Sequence, residues 1–193
     1  MVAAARIFGE RGYAGVTMEI IANAAELSVP TLYLTFGGKR QILAALILGL
    51  KEEVDVCTSA RELMDCPDRV ELLQQAAMVS TRFNRVAWQL LDVLRAGARA
   101  ESELATLQDQ VGGARFRDQQ VIVRRFAAEG VLRAGPLPDR AAAIFWTLTA
   151  HDQYRSMVVE RDQSEEDFEA WLAQTLCEQL LGNKTSRRDA GSQ

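Results

Sequence analysis

The chain has 193 residues, 48% of them hydrophobic and 25% charged, with 22 basic against 26 acidic side chains and a formal charge of −4. That composition fits a globular protein of one compact domain or two small ones. No apolar run approaches the ~20 residues that cross a bilayer. Nothing at the N-terminus reads as a secretory signal. Cys57, Cys66 and Cys177 are odd in number and widely spaced, without metal-ligand spacing. They read as reduced thiols in a cytoplasmic protein, with a redox-sensing pair as the alternative.

Taken in order, Ala4, Ile7, Phe8 and Arg11 repeat at helical spacing, and Gly12 closes this first helix. Thr17 is a good N-cap for a second helix, because its hydroxyl can accept from a free amide of the next turn. Ile20, Ile21, Ala24 and Ala25 make one face of that helix apolar. Ser28 caps a third helix, and Pro30 falls in its first turn, where a missing N–H removes no intrahelical bond. Leu32 and Phe36 share the inward face of this helix. Val29, Pro30, Thr31, Tyr33, Leu34 and Thr35 are left wholly or partly outward. Gly37-Gly38 then stops it. Two short helices about a tight turn, before a longer apolar helix, are the layout of a helix-turn-helix, whose second helix is sized for the DNA major groove.

After Lys39 a stripe of Ile42, Leu43, Leu46, Ile47, Leu50, Val54 and Cys57 predicts a long amphipathic helix, and a break is expected near Asp65-Cys66-Pro67. Periodicity predicts helices over 70–83 and 86–94. It predicts a longer one over 101–129, loosened at Gly112-Gly113, and a non-helical connection over 130–138. Two final helices are expected over 139–161 and 164–181, the latter started by Ser164 and three carboxylates at the positive helix end. Residues 183–193 are polar and read as a disordered tail. Strand patterns are scarce, so the fold class is all-α.

Phe8-Gly9-Glu10-Arg11-Gly12-Tyr13, Thr17, Ile21-Ala22, Leu27-Ser28, Thr31-Leu32-Tyr33, Phe36 and Lys39 together resemble the DNA-binding domain of TetR-family transcriptional regulators. The piece from His151-Asp152-Gln153-Tyr154-Arg155 through Trp171-Leu172 and Leu180-Leu181 is also similar to C-terminal domains in that family. The resemblance implies a three-helix DNA-binding domain over 1–48 and a larger helical effector-binding and dimerisation domain over 49–182. It implies a homodimeric one-component regulator, usually a repressor, released from its DNA by a small molecule. Its DNA-binding residues would be Thr17, Ser28, Val29, Pro30, Thr31, Tyr33, Leu34, Thr35 and Lys39. Three features depart from the family pattern. Glu26 stands at the turn where glycine is common, and Leu34 and Thr35 stand where aromatic or histidine side chains are common. The chain also begins inside the first helix, so either the natural N-terminus is longer or the protein binds DNA with less electrostatic help.

Electrostatic help for DNA binding is modest. Over residues 1–50, Arg6, Arg11, Lys39 and Arg40 face Glu10, Glu19 and Glu26, a balance of +1. Because non-specific affinity grows with the phosphates neutralised, each domain should bind non-specifically only weakly.

Enzyme chemistry lacks a constellation: His151 is the single histidine, and no glycine-rich phosphate loop follows a strand. No cofactor or metal is expected. Phe83, Trp88, Phe116, Phe126, Trp146 and Tyr154 read either as ordinary core or as the lining of an effector cavity between helices, with Arg82, Arg85 and Arg95 as candidates to select an anionic group. Phe145, Thr149, Trp171, Leu172, Thr175, Leu176 and Gln179 give the last two helices more apolar width than one core uses, as a dimer interface would. The expected partners are double-stranded DNA, a second copy and an unidentified small molecule, with no membrane. A helical interaction protein with little or no DNA binding is the alternative.

Overall fold

The computed structural model describes residues 1–53, 63, 65–133 and 137–182. The expectations at Val54, Cys57, Gly135-Pro136 and the 183–193 tail lie outside the described residues.

Short-range signals set the first three helices. Helix α1 (Val2–Arg11) ends where Gly12 takes φ 65° and its N–H reaches the Phe8 carbonyl. Helix α2 (Met18–Ala24) is capped by Thr17, whose Oγ1 accepts from the Ile20 N–H at 3.3 Å. Glu26 lies in the following turn with φ 55°, a left-handed conformation that costs a non-glycine residue about 1–2 kcal/mol. Helix α3 (Val29–Phe36) is capped by Ser28, whose Oγ accepts from the Thr31 N–H at 3.2 Å, and Gly37 closes it at φ 82°. Helix α4 (Lys39–Glu53) follows.

The remaining elements are α5 (Arg69–Ala98), α6 (Ser102–Ala128), α7 (Pro138–Leu148), α8 (His151–Tyr154), which runs on into a π-helical turn at Arg155–Val159, and α9 (Glu165–Leu180). Ser164 caps α9 by accepting from the Asp167 N–H at 3.0 Å. A single antiparallel bridge, Leu132 with Leu181, is the extended pairing among the described residues.

Three expectations change. The predicted helices over 70–83 and 86–94 are one helix: the segment between them holds no glycine or proline, and Asn84 and Ala87 are both buried, so the turns continue. Helix α6 passes through Gly112-Gly113 without a break. The predicted helix over 139–161 is instead interrupted at Thr149-Ala150. There the Thr149 hydroxyl bonds back to the Phe145 carbonyl at 3.0 Å and receives the Gln119 amide at 2.8 Å, while Ala150 turns to extended geometry.

The chain divides into two compact units, residues 1–60 with 82–113 and residues 61–81 with 114–193. In the first, Phe8, Ile21, Ile42, Leu43, Ile47, Leu94 and Leu104 are fully buried in one cluster. Each such side chain stabilises the fold by about 1.5–3 kcal/mol. Packing therefore adds parts of α5 and α6 to the helix-turn-helix, and compaction does not divide at residue 48. In the second unit Phe126, Phe145, Phe168, Leu172 and Leu176 are buried, α9 packs on α7, and Tyr154 meets Phe168 edge-on at 5.5 Å. Arg69 forks onto Glu129 (Nε–Oε2 2.5 Å, Nη2–Oε1 2.6 Å), tying the start of α5 to the end of α6. The Arg69 bond holds the Glu129 carboxyl below its ordinary pKa. Among the described residues, no helix is long and apolar enough to cross a membrane.

Candidate nucleic-acid interface

Helix α3 is held by one face and offers the other. Leu32 is buried, while Val29 and Phe36 pack partly buried against the same cluster. Pro30, Thr31, Tyr33, Leu34 and Thr35 are exposed, Tyr33 at 51% and Leu34 at 90%. The helix carries no charged side chain from Val29 to Phe36, so what it presents is methyl groups, hydroxyls and one phenol.

The hydroxyls are partly committed. Ser28 Oγ and Thr31 Oγ1 lie 2.6 Å apart, and Thr35 Oγ1 donates to the Thr31 carbonyl at 2.9 Å. Thr17, also exposed, spends its oxygen on the α2 cap, and hydrogen bonding to Thr17 holds the neighbouring Glu19 carboxyl below its ordinary pKa.

Lys39 is placed differently from the other members of the predicted set. Its Nζ donates to the carbonyls of Tyr13 (3.1 Å) and Val16 (3.3 Å) and sits over the Tyr13 ring. Two of its three N–H donors therefore hold the α1–α2 connection to α4, leaving one for a phosphate. Arg6 pairs with Glu10 at 3.1 Å and Arg40 with Glu103 at 2.6 Å, whereas Arg11 is exposed. The surface around α3 is thus only weakly cationic.

Tyr13 supports this frame from beneath. It is buried, stacks on Phe8 at 6.1 Å and donates its phenol to Glu101 Oε2 at 3.1 Å. Burial, reinforced by the Glu101 carboxylate, pushes its pKa up to about 12.

The effector set divides between the two units. Phe83 and Trp88 belong to the first, where both are partly buried and Phe83 packs on the core cluster. Phe116, Phe126, Trp146 and Tyr154 belong to the second. Phe126 is fully buried core, and Tyr154 is buried with its phenol donating to Glu165 Oε1 at 2.6 Å. Phe116 is partly buried and Trp146 is 39% exposed. Arg82 and Arg85 are exposed. Arg115, which sequence periodicity did not single out, is partly buried in the second unit, and desolvation lowers its pKa to about 10.

Of the dimer set, Phe145, Thr149, Leu172 and Leu176 are buried inside the chain's own fold, so they are not open to a second copy. Their apolar width serves the packing of α7 and α9 on neighbouring helices. Trp171 and Thr175 keep partial exposure and Gln179 is exposed, while Trp171 also packs on Phe168 at 5.7 Å. Cys66 and Cys177 are free, and burial raises the Cys177 thiol pKa, which favours an unreactive thiol.

Residues 1–46 match the family described as bacterial regulatory proteins, tetR family. No curated protein gives a significant sequence match. Among solved structures the chain is similar to the fatty acid degradation regulator FadR from Bacillus halodurans, with 17% identity over 91% of each chain and a TM-score of 0.75. It is similar to Salmonella enterica GusR, with 21% identity, a TM-score of 0.73 and coverage of 93% of this chain and 92% of that one. The TetR-family transcriptional regulator PfmR from Thermus thermophilus aligns at 20% identity and a TM-score of 0.68, covering 90% of this chain and 91% of that one. With an exposed capped α3 in a matching N-terminal segment, residues 1–46 match the tetR family of bacterial regulatory proteins, and the described residues share the all-helical fold of solved TetR-family transcriptional regulators.

Proposed function

We propose that the protein is a sequence-specific DNA-binding transcriptional regulator. It acts as a homodimeric repressor, and a small molecule bound by the helices beyond α4 releases it from its operator. The observation that carries this reading is the outer face of α3, where Pro30, Thr31, Tyr33, Leu34 and Thr35 stand clear of the core while Leu32 anchors the helix. Two such helices would enter successive major grooves about 34 Å apart on a roughly palindromic site. Tyr33, Thr17 and the remaining Lys39 donor would position the protein on phosphates. Val29, Pro30, Thr31, Leu34 and Thr35 would meet base edges.

Dimerisation would use the exposed parts of Trp171, Thr175 and Gln179. Effector binding would tilt α4 and change the separation of the two α3 helices, lowering the population of the DNA-bound state. The test is fluorescence anisotropy with DNA from upstream of the protein's own gene at two salt concentrations. Specific, salt-sensitive binding at the level of a dimer is expected. Equal affinity for that DNA and for a scrambled duplex would favour a helical interaction protein instead.

A further inference from the structure

Within the second unit, α6 places Arg115 and Gln119 one turn apart on the same face, where an i,i+4 pair has its Cβ atoms about 5–6 Å apart. Both reach the end of α7. Arg115 Nη2 donates to the Trp146 carbonyl at 3.2 Å, and its guanidinium carbon lies 5.7 Å from the Trp146 ring centroid. Gln119 is 6% exposed; its Nε2 donates to Thr149 Oγ1 at 2.8 Å, while its Oε1 is buried with no hydrogen-bond partner.

Two costs coincide here. A guanidinium has five N–H donors, yet among the described residues no carboxylate pairs with Arg115. A partly covered charge without a described carboxylate gains from an anion, and a buried amide oxygen without a donor carries a cost of its own. Both are relieved by one kind of guest: an anion for Arg115 with a hydrogen-bond donor a few bonds away for Gln119 Oε1.

We propose that Arg115 and Gln119 form a receptor for a small organic carboxylate that also carries a hydroxyl or amino group, with the half-exposed Trp146 beside it as the apolar wall. The carboxylate takes the guanidinium fork, and the donor group completes Gln119. This deepens the effector reading and rests on it only for the consequence to DNA. Desolvation lowers the Arg115 pKa to about 10, so the group is charged at neutral pH and can take a carboxylate on its fork.

The test is titration calorimetry of the full chain with mandelate, with phenylacetate, which lacks the hydroxyl, and with mandelamide, which lacks the charge. Saturable mandelate binding is expected, with mandelamide weaker by about tenfold or more. Arg115→Gln should lose the preference for charge. Arg115→Lys should keep part of it, and guards against a misfolded glutamine variant. Gln119→Leu should remove the preference for mandelate over phenylacetate while leaving anion binding. No saturable binding, equal binding of all three compounds, or unchanged mandelate affinity in a folded Arg115→Gln protein would overturn the proposal. So would a change of sedimentation mass in Arg115→Gln, since the guanidinium would then belong to a contact between copies. Anion binding that leaves DNA affinity unchanged supports the site and overturns only the release reading; DNA binding without anion uptake does the reverse.

Discussion

The Lys39 ammonium lies 4.1 Å from the centroid of the Tyr13 ring while donating to the Tyr13 and Val16 carbonyls. This clip fastens the α1–α2 connection to the start of α4, so the residue works first on the fold of the first unit. Lys39→Met should destabilise the protein by roughly 1–3 kcal/mol, from lost charge-assisted bonds and cation–π contact. Chemical denaturation checks this, and an unchanged midpoint would return Lys39 to a purely phosphate-binding role.

Tyr33 is the opposite case. It is 51% exposed on α3 and is not part of the buried core. Tyr33→Ala should weaken specific DNA binding about three- to tenfold with thermal stability nearly unchanged. Anisotropy titration and a melting scan on the same preparation read both quantities, and a large fall in melting temperature would contradict the assignment.

Glu26 carries both a conformational and an electrostatic burden. Its φ of 55° is left-handed, and its exposed carboxylate lies in the turn leading into α3. Glu26→Gly should relieve strain of about 1–2 kcal/mol, offset by about 0.5–1 kcal/mol of extra unfolded-state entropy, for a small net gain in stability. Loss of the carboxylate should also tighten DNA binding at low salt. A variant that is less stable would show that the side chain has a compensating contact.

Tyr13 gives a pH signature. Its folded pKa, about 12, lies above its unfolded value near 10 because burial, and then the Glu101 bond, disfavour the phenolate. Its contribution is therefore fully present below about pH 10 and is lost as pH rises from there through about 12. Alkaline unfolding should steepen over that window, and Tyr13→Phe should flatten it. Ultraviolet titration of the phenolate band is the direct check.

Gly97 is buried in α5, and a Cβ there would fall 2.5 Å from Leu104 Cδ1 and 3.3 Å from Tyr13 Cγ. Gly97→Ala should cost about 1–3 kcal/mol by overpacking, despite the better helix propensity of alanine. A rise in the denaturation midpoint would mean that Leu104 moves aside freely.

What could be read in advance follows the range of the interactions responsible. The Thr17 and Ser28 caps and the Gly37 stop act within three or four residues, so the helix-turn-helix and its outward face were legible in the sequence. The break at Thr149 was not, because it involves Gln119, thirty residues away. The structural part of the Lys39 role is equally hidden in the sequence, because the Tyr13 and Val16 carbonyls it holds lie more than twenty residues away. Leu172 and Leu176 looked like surplus apolar width, since one-dimensional periodicity cannot say whether a stripe meets its own chain or another. Arg115 drew no notice because its distinction is the absence of a described carboxylate, which only tertiary structure reveals.

The hydroxyl pairing on α3 bears on the operator itself. Ser28, Thr31 and Thr35 already bond to one another or to backbone, whereas Leu34 has nothing over it. Contacts to DNA from this helix would then lean on hydrocarbon, and the hydrocarbon a major groove offers is the C5 methyl of thymine. Operators made with uracil, or with 5-methylcytosine at neighbouring steps, would report that preference as directly as any substitution in the protein.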